Sequence, residues 1–185
     1  MSSLLLKIIA LATMIIDHYG AIFQSNILYY RIIGRLAFPI YCFLLAEGYT
    51  HTSNIKKYAL RLLMFAFISE IPFDLAFYGK LGFAHQNIFF TLFIGLAAIY
   101  FIDNKDGKYN IDKTLIIAAA CILATVLQTD YQFIGIVYIL SFYYTKNFSM
   151  KKRLKIVALI MAAINLSAGW LQQFSLLALI VIYFY

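Results

Sequence analysis

Charge is scarce in this chain of 185 residues: 12% are Asp, Glu, Lys or Arg, about half the share of an average soluble domain. Proline is scarcer, with two residues, and glycine has nine; so few of either excludes a low-complexity or disordered chain. The two cysteines, Cys42 and Cys121, both lie in apolar runs. They provide no disulfide framework and no metal-ligand spacing, so no metal is expected. No repeat of fixed period and no inverted pair of halves is visible, which removes the usual sequence sign of a transporter. Apolar surface is what abounds: 64% of residues are hydrophobic and 18% aromatic, with a mean hydropathy of +0.84. Such a composition excludes an ordinary soluble domain. It predicts an all-α, polytopic transmembrane helix bundle, with residues 1–185 forming a single integral membrane domain.

Apolar runs cover residues 4–23, 29–48, 58–78, 86–102, 114–128, 131–145, 154–168 and 171–185, which predicts about eight helices. The net charge of +7 raises the question of nucleic acid, and the positions answer it. The second connection holds Lys56, Lys57 and Arg61, and the fourth holds Lys105, Lys108 and Lys113. The sixth holds Lys146, Lys151, Lys152, Arg153 and Lys155. With Lys7 these make twelve of the fifteen basic residues on one side, leaving Arg31, Arg35 and Lys80 for the other. Basic short loops stay in the cytoplasm, so both termini are expected there, and the bilayer rather than nucleic acid is the expected partner. Residues 1–20 contain an Ala10-Leu11-Ala12 triplet of signal-peptidase type. No basic cluster leads it, and the apolar stretch runs on to Phe23, so a membrane helix is the expectation.

A charged residue near the centre of a spanning helix costs about 2.5–3.5 kcal/mol on the insertion scale. Asp17, Glu47, Glu70, Asp74 and Asp130, with His18, Arg31 and Arg35, all lie in or at the ends of apolar runs. They are expected to point into the bundle, where they pair or meet water. Arg31 and Arg35 are four residues apart, as are Glu70 and Asp74, and Glu47 and His51. Each such pair shares a helix face, so the arginine pair and the Glu70-Asp74 pair are expected to be counter-ions. Adjacent residues lie about 100° apart on a helix, so Asp17 and His18 are not expected to pair. The polar groups, with His85, Gln86 and Asn87, are expected to converge on one internal cavity. Pro39 and Pro72 are expected to interrupt their helices beside it.

Four blocks, LKIIALATMIIDHYGAIF (6–23), GRLAFPIYCFLLAEGY (34–49), SEIPFDLAF (69–77) and HQNIFFTL (85–92), together resemble the TraX family of bacterial membrane proteins. The resemblance is strong over roughly the first hundred residues and rests mainly on hydropathy beyond them. The family takes its name from a conjugation-associated protein that acetylates the pilin N-terminus. It is grouped with multi-pass membrane acyltransferases that use acyl-coenzyme A, which carry a basic residue and, eleven positions on, a His in the first helix. Lys7 and His18 have that spacing. The resemblance implies a bacterial inner-membrane location. Members with these blocks continue into another basic loop and a Tyr-Pro-x-His segment, so this chain is expected to be short at its C-terminal end.

The resemblance further implies an acyltransferase moving an acetyl or other acyl group from acetyl-CoA to a pilin-like or other surface protein N-terminus, a glycan or a lipid. His18 is then the general base, with Asp17, Glu70 or Asp74 orienting it or holding the acceptor. Arg35 or the Asn87 amide is the expected oxyanion donor. Lys7, Arg35, Glu47, Lys56, Lys57 and Arg61 are the expected coenzyme contacts, and Arg31, His85, Gln86, Asn87 and Asp130 the expected acceptor contacts. Two other classes fit the same buried acids: a proton- or ion-coupled transporter, and a non-catalytic assembly factor for a surface appendage.

Overall fold

A computed structural model describes residues 1–82, 84–103 and 111–185; Lys105 and Lys108, counted above in the fourth connection, lie outside them. The regular elements of the described residues are all helical, and their only extended pairing is an isolated bridge between Gln86 and Thr129. In chain order the helices are α1 (Ser3–Phe23), α2 (Leu28–Gly34), α3 (Ala37–His51), α4 (Ile55–Tyr78), α5 (Ile88–Asp103), α6 (Lys113–Val126), α7 (Gln132–Tyr144), α8 (Met150–Ile164) and α9 (Ala178–Tyr183). Two 3-10 stretches, Asn165–Ser167 and Trp170–Leu177, separate the last two.

All eight apolar runs are therefore helical, but two are divided. The second breaks at Arg35-Leu36, between α2 and α3. Pro39 does not cause that break: it lies in the first turn of α3, where the missing N–H would have had no intrahelical partner. Pro72 does lie inside α4, and the helix continues through it. The eighth run begins as a 3-10 helix, entered through Gly169 at φ +90°, a backbone state open chiefly to glycine.

Local chemistry accounts for the ends. The Ser2 hydroxyl caps α1 by accepting from the Leu5 amide at 3.3 Å, and Asn54 caps α4 through the Lys57 amide at 2.9 Å. Asp112 caps α6, accepting from the amides of Thr114 at 2.7 Å and Leu115 at 3.4 Å. Gly79, at φ +68°, closes α4 in the left-handed conformation.

The contacts group the chain into two units: Met1–Glu47 with Ser141–Tyr185, and Gly48–Leu140. In the first, α3 supplies the core through Phe38, Ile40, Phe43 and Leu45, joined by Phe142, Val157, Met161 and Ile182. The Phe43 ring meets Phe142 edge-on at 5.6 Å. In the second, α5 is the buried helix, and α4 and α6 pack beside it. Outward faces are apolar: Leu4, Ile8, Leu11 and Ile15 on α1, and Leu60, Met64, Phe67, Ile71 and Leu75 on α4, are all exposed. Among the described residues, two stretches, Ser3–Phe23 and Leu28–His51, are long and apolar enough to cross a membrane.

Candidate functional site

Within the first unit, one carboxylate organises a polar network. Asp17 on α1 accepts from Arg31 Nη1 at 2.9 Å and from Arg35 Nη2 at 3.1 Å. Gly34 makes this possible, because a Cβ at that position would collide with the Asp17 side chain. Arg35 is fully engaged: Nη1 donates to Gln172 Oε1 at 3.3 Å, and Nε to the Arg31 carbonyl at 3.4 Å. Gln172 is buried, and its backbone carbonyl accepts from Asn165 Nδ2 at 3.0 Å, which also donates to the Ser175 hydroxyl at 3.1 Å. Among the described residues, Arg31 bonds through Nη1 alone of its side-chain nitrogens, and it is about a third exposed.

His18 stands next to this network. Its Nδ1 is 4.0 Å from Asp17 Oδ2, and the ring is 41% exposed. Adjacency on the helix therefore still allows an electrostatic contact, though one beyond hydrogen-bond length.

The expected pairing of the arginines with Glu70 and Asp74 is corrected. Asp17 takes both arginines, while the two acids lie in the second unit with neutral partners. Glu70 accepts from the Asn87 backbone amide at 3.1 Å and from its side-chain amide. Its other oxygen, Oε1, is buried without a hydrogen-bond partner among the described residues. Asp74 is buried and accepts from the Gly82 amide at 2.8 Å. Asn87 also donates to the Ala66 carbonyl at 2.7 Å, and its Oδ1 caps α5 through the Phe89 amide at 3.0 Å. Both expected oxyanion donors, Arg35 and Asn87, are thus committed to internal partners.

Also in the second unit, the segment before α5 pairs with the turn between α6 and α7. The Gln86 amide donates to the Gln128 carbonyl at 3.2 Å, and the Asp130 amide to the Gln86 carbonyl at 2.8 Å. The buried Thr91 hydroxyl ties the same turn down through Thr129, at 3.0 Å, and the Asp130 carbonyl. Here a pocket of about 230 Å³ is lined by Tyr78, His85, Gln86, Asp130, Gln132 and neighbours, with His85 stacked on Tyr78 at 5.4 Å. Three of the expected acceptor contacts, His85, Gln86 and Asp130, therefore share one pocket, and Asn87 is buried beside Glu70.

The remaining expected coenzyme contacts divide. Lys7 is exposed on α1, and Lys56, Lys57 and Arg61 are exposed on the first turns of α4. Glu47 is bound internally: Arg153 on α8 donates to its carboxylate at 2.7 Å. Arg153 also donates to the Phe142 carbonyl at 2.9 Å and lies over the Phe43 ring at 4.8 Å. Arg153 and Gln172 were not anticipated as site residues, being 106 and 137 positions from their partners. The period-four burial of Arg153, Val157 and Met161 is the signal that sets Arg153 apart from its loop neighbours.

Taken together, the described residues define a helical protein that exposes apolar helix faces and keeps Asp17, Glu47, Glu70 and Asp74 paired or hydrogen-bonded within their units. The chain belongs to the TraX family: the family model described as TraX protein matches residues 2–185. It is 37% identical over 110 residues to the probable fimbrial assembly protein FimC, serogroup H1, of Dichelobacter nodosus, covering 53% of this chain and 45% of that one. It is 32% identical over 101 residues to uncharacterized protein RP591 of Rickettsia prowazekii (strain Madrid E), covering 55% and 38%. The chain thus spans less than half the length of these curated relatives. No solved structure matches it.

Proposed function

We propose that the chain is a multi-pass inner-membrane protein, eight spans with both termini cytoplasmic, that transfers an acyl group from acetyl-CoA or another acyl-CoA during assembly or modification of a pilus-like appendage. The observation that carries the reading is the Asp17 carboxylate, held by two arginines beside a half-exposed His18. Two guanidinium groups fix the position of the Asp17 carboxylate. His18, partly exposed beside this carboxylate, is then the base that takes a proton from an acceptor amine or hydroxyl. As the acceptor attacks the thioester carbonyl, the C–S bond breaks and the coenzyme leaves as its thiol. Arg31 is the better oxyanion donor than Arg35, because its fork retains unused N–H groups.

The exposed apolar faces support the bilayer reading, since charges turned inward with apolar side chains outward suit lipid and not water. The rise from Lys7 to His18, about 16 Å at 1.5 Å per residue, is of the order of a pantetheine arm. Phosphates at the exposed Lys7 would leave the thioester within reach of His18 on the same helix.

A non-catalytic assembly factor is the second reading, favoured by the fimbrial assembly name of the Dichelobacter relative. Equilibrium binding of acetyl-CoA to the purified, detergent-solubilised protein separates the two. The acyltransferase reading expects saturable binding, weakened by salt and by Lys7→Ala. Absence of binding at millimolar acetyl-CoA would leave the assembly factor.

A further inference from the structure

The first unit carries a groove that the acyl-transfer reading does not use. It has a volume of about 930 Å³ and runs between α8 and α9. Leu154, Ala158 and Ala162 form one wall, and Leu179 and Tyr183 the other. The two alanines give it depth, while Leu159 and Ile180 are exposed on its rims. No acidic side chain lines it. One end holds the two polar exceptions, Lys151 and Lys155, which are exposed and four residues apart on one face of α8. Neither lysine enters an ion pair among the described residues.

Dimensions and charge identify an occupant. From Lys151 to Ala162 the wall on α8 rises about 16 Å, close to half of the roughly 30 Å hydrocarbon thickness of a bilayer. The groove is therefore one leaflet deep, dry along its length and cationic at its mouth. A soluble anion would gain the lysines and nothing from the walls; a neutral lipid would gain the walls and nothing from the lysines. We propose that this groove is a binding site for one anionic diacyl phospholipid of the cytoplasmic leaflet, its phosphate between Lys151 and Lys155 and an acyl chain along Ala158 and Ala162. The proposal rests on the membrane reading above and is independent of acyl transfer.

Native mass spectrometry of the full chain released from detergent micelles, with equimolar dioleoyl phosphatidylglycerol and dioleoyl phosphatidylcholine, tests it. Wild-type protein should retain one phosphatidylglycerol, favoured over phosphatidylcholine by on the order of tenfold, as two cations near a headgroup imply. The double variant K151Q/K155Q should lose the preference while still retaining either lipid. Ala158→Phe should fill the groove and reduce retention of both, with circular dichroism confirming unchanged helicity. Equal retention of the two lipids by wild-type protein would overturn the proposal. So would retention unaffected by Ala158→Phe, or a groove covered by a second copy, seen as a dimer that Ala158→Phe dissociates. Incorporation into nanodiscs is scored alongside: a protein that incorporates but shows no preference overturns the lipid site alone, and one that does not incorporate overturns the membrane reading with it.

Discussion

Asp17 carries the heaviest electrostatic demand of any single residue in the first unit. Removing it takes the shared carboxylate away from the part-buried Arg31 and Arg35, and breaking such a pair costs up to about 3–5 kcal/mol. Asp17→Ala should destabilise the protein by that order in denaturant titrations, and Gly34→Val, which drives a side chain into the same carboxylate, should fail similarly. Arg31→Ala should cost less, because Arg31 is about a third exposed and solvent screens its share. Glu47 and Arg153 allow a second test. Glu47→Ala strands Arg153, so it should be more destabilising than the double variant E47A/R153M, which removes both charges. A double variant as unstable as the sum of the single changes would show that the pair is not coupled.

The elements were legible wherever hydropathy alone decides them. All eight runs are helical, because long apolar stretches with few turn residues satisfy their backbone within the segment itself. The divisions were not legible. The break at Arg35 follows from a long-range requirement, two arginines reaching one carboxylate on α1, which no local pattern encodes. The 3-10 stretch at Trp170–Leu177 brings the Gln172 carbonyl and the Ser175 hydroxyl to Asn165; hydropathy does not distinguish that winding from an α-helix. Spacing found the acids and bases and misjudged their partners, since an i, i+4 rule reports faces of one helix and is silent about which helix lies opposite. The amides of Thr114 and Leu115 hold the Asp112 carboxyl below its ordinary value of 3.8. A carboxyl lowered by folding stabilises above its unfolded value and loses that contribution as pH falls through the folded one. Amide exchange at Thr114 and Leu115 should therefore accelerate, relative to neighbouring helix amides, as pH drops below about 4. In Asp112→Asn, which caps without titrating, that pH dependence should vanish.

For the whole molecule, orientation and activity are the two testable properties. The asymmetry of twelve basic residues against three predicts that a cysteine at position 151 is shielded from an impermeant thiol reagent added outside intact cells, and one at position 80 is labelled. The reverse pattern would invert the topology and place Lys7 away from the coenzyme. The central claim, acyl transfer with His18 as base, is tested most directly by following labelled acetyl from acetyl-CoA into membrane and surface material, comparing wild-type protein with His18→Ala. General-base assistance typically contributes about 10²–10⁴-fold in rate. The account predicts a loss of that order at saturating acetyl-CoA, with coenzyme binding and helicity retained. Undiminished transfer by His18→Ala, or no transfer by the wild-type protein while it binds the coenzyme, would contradict it.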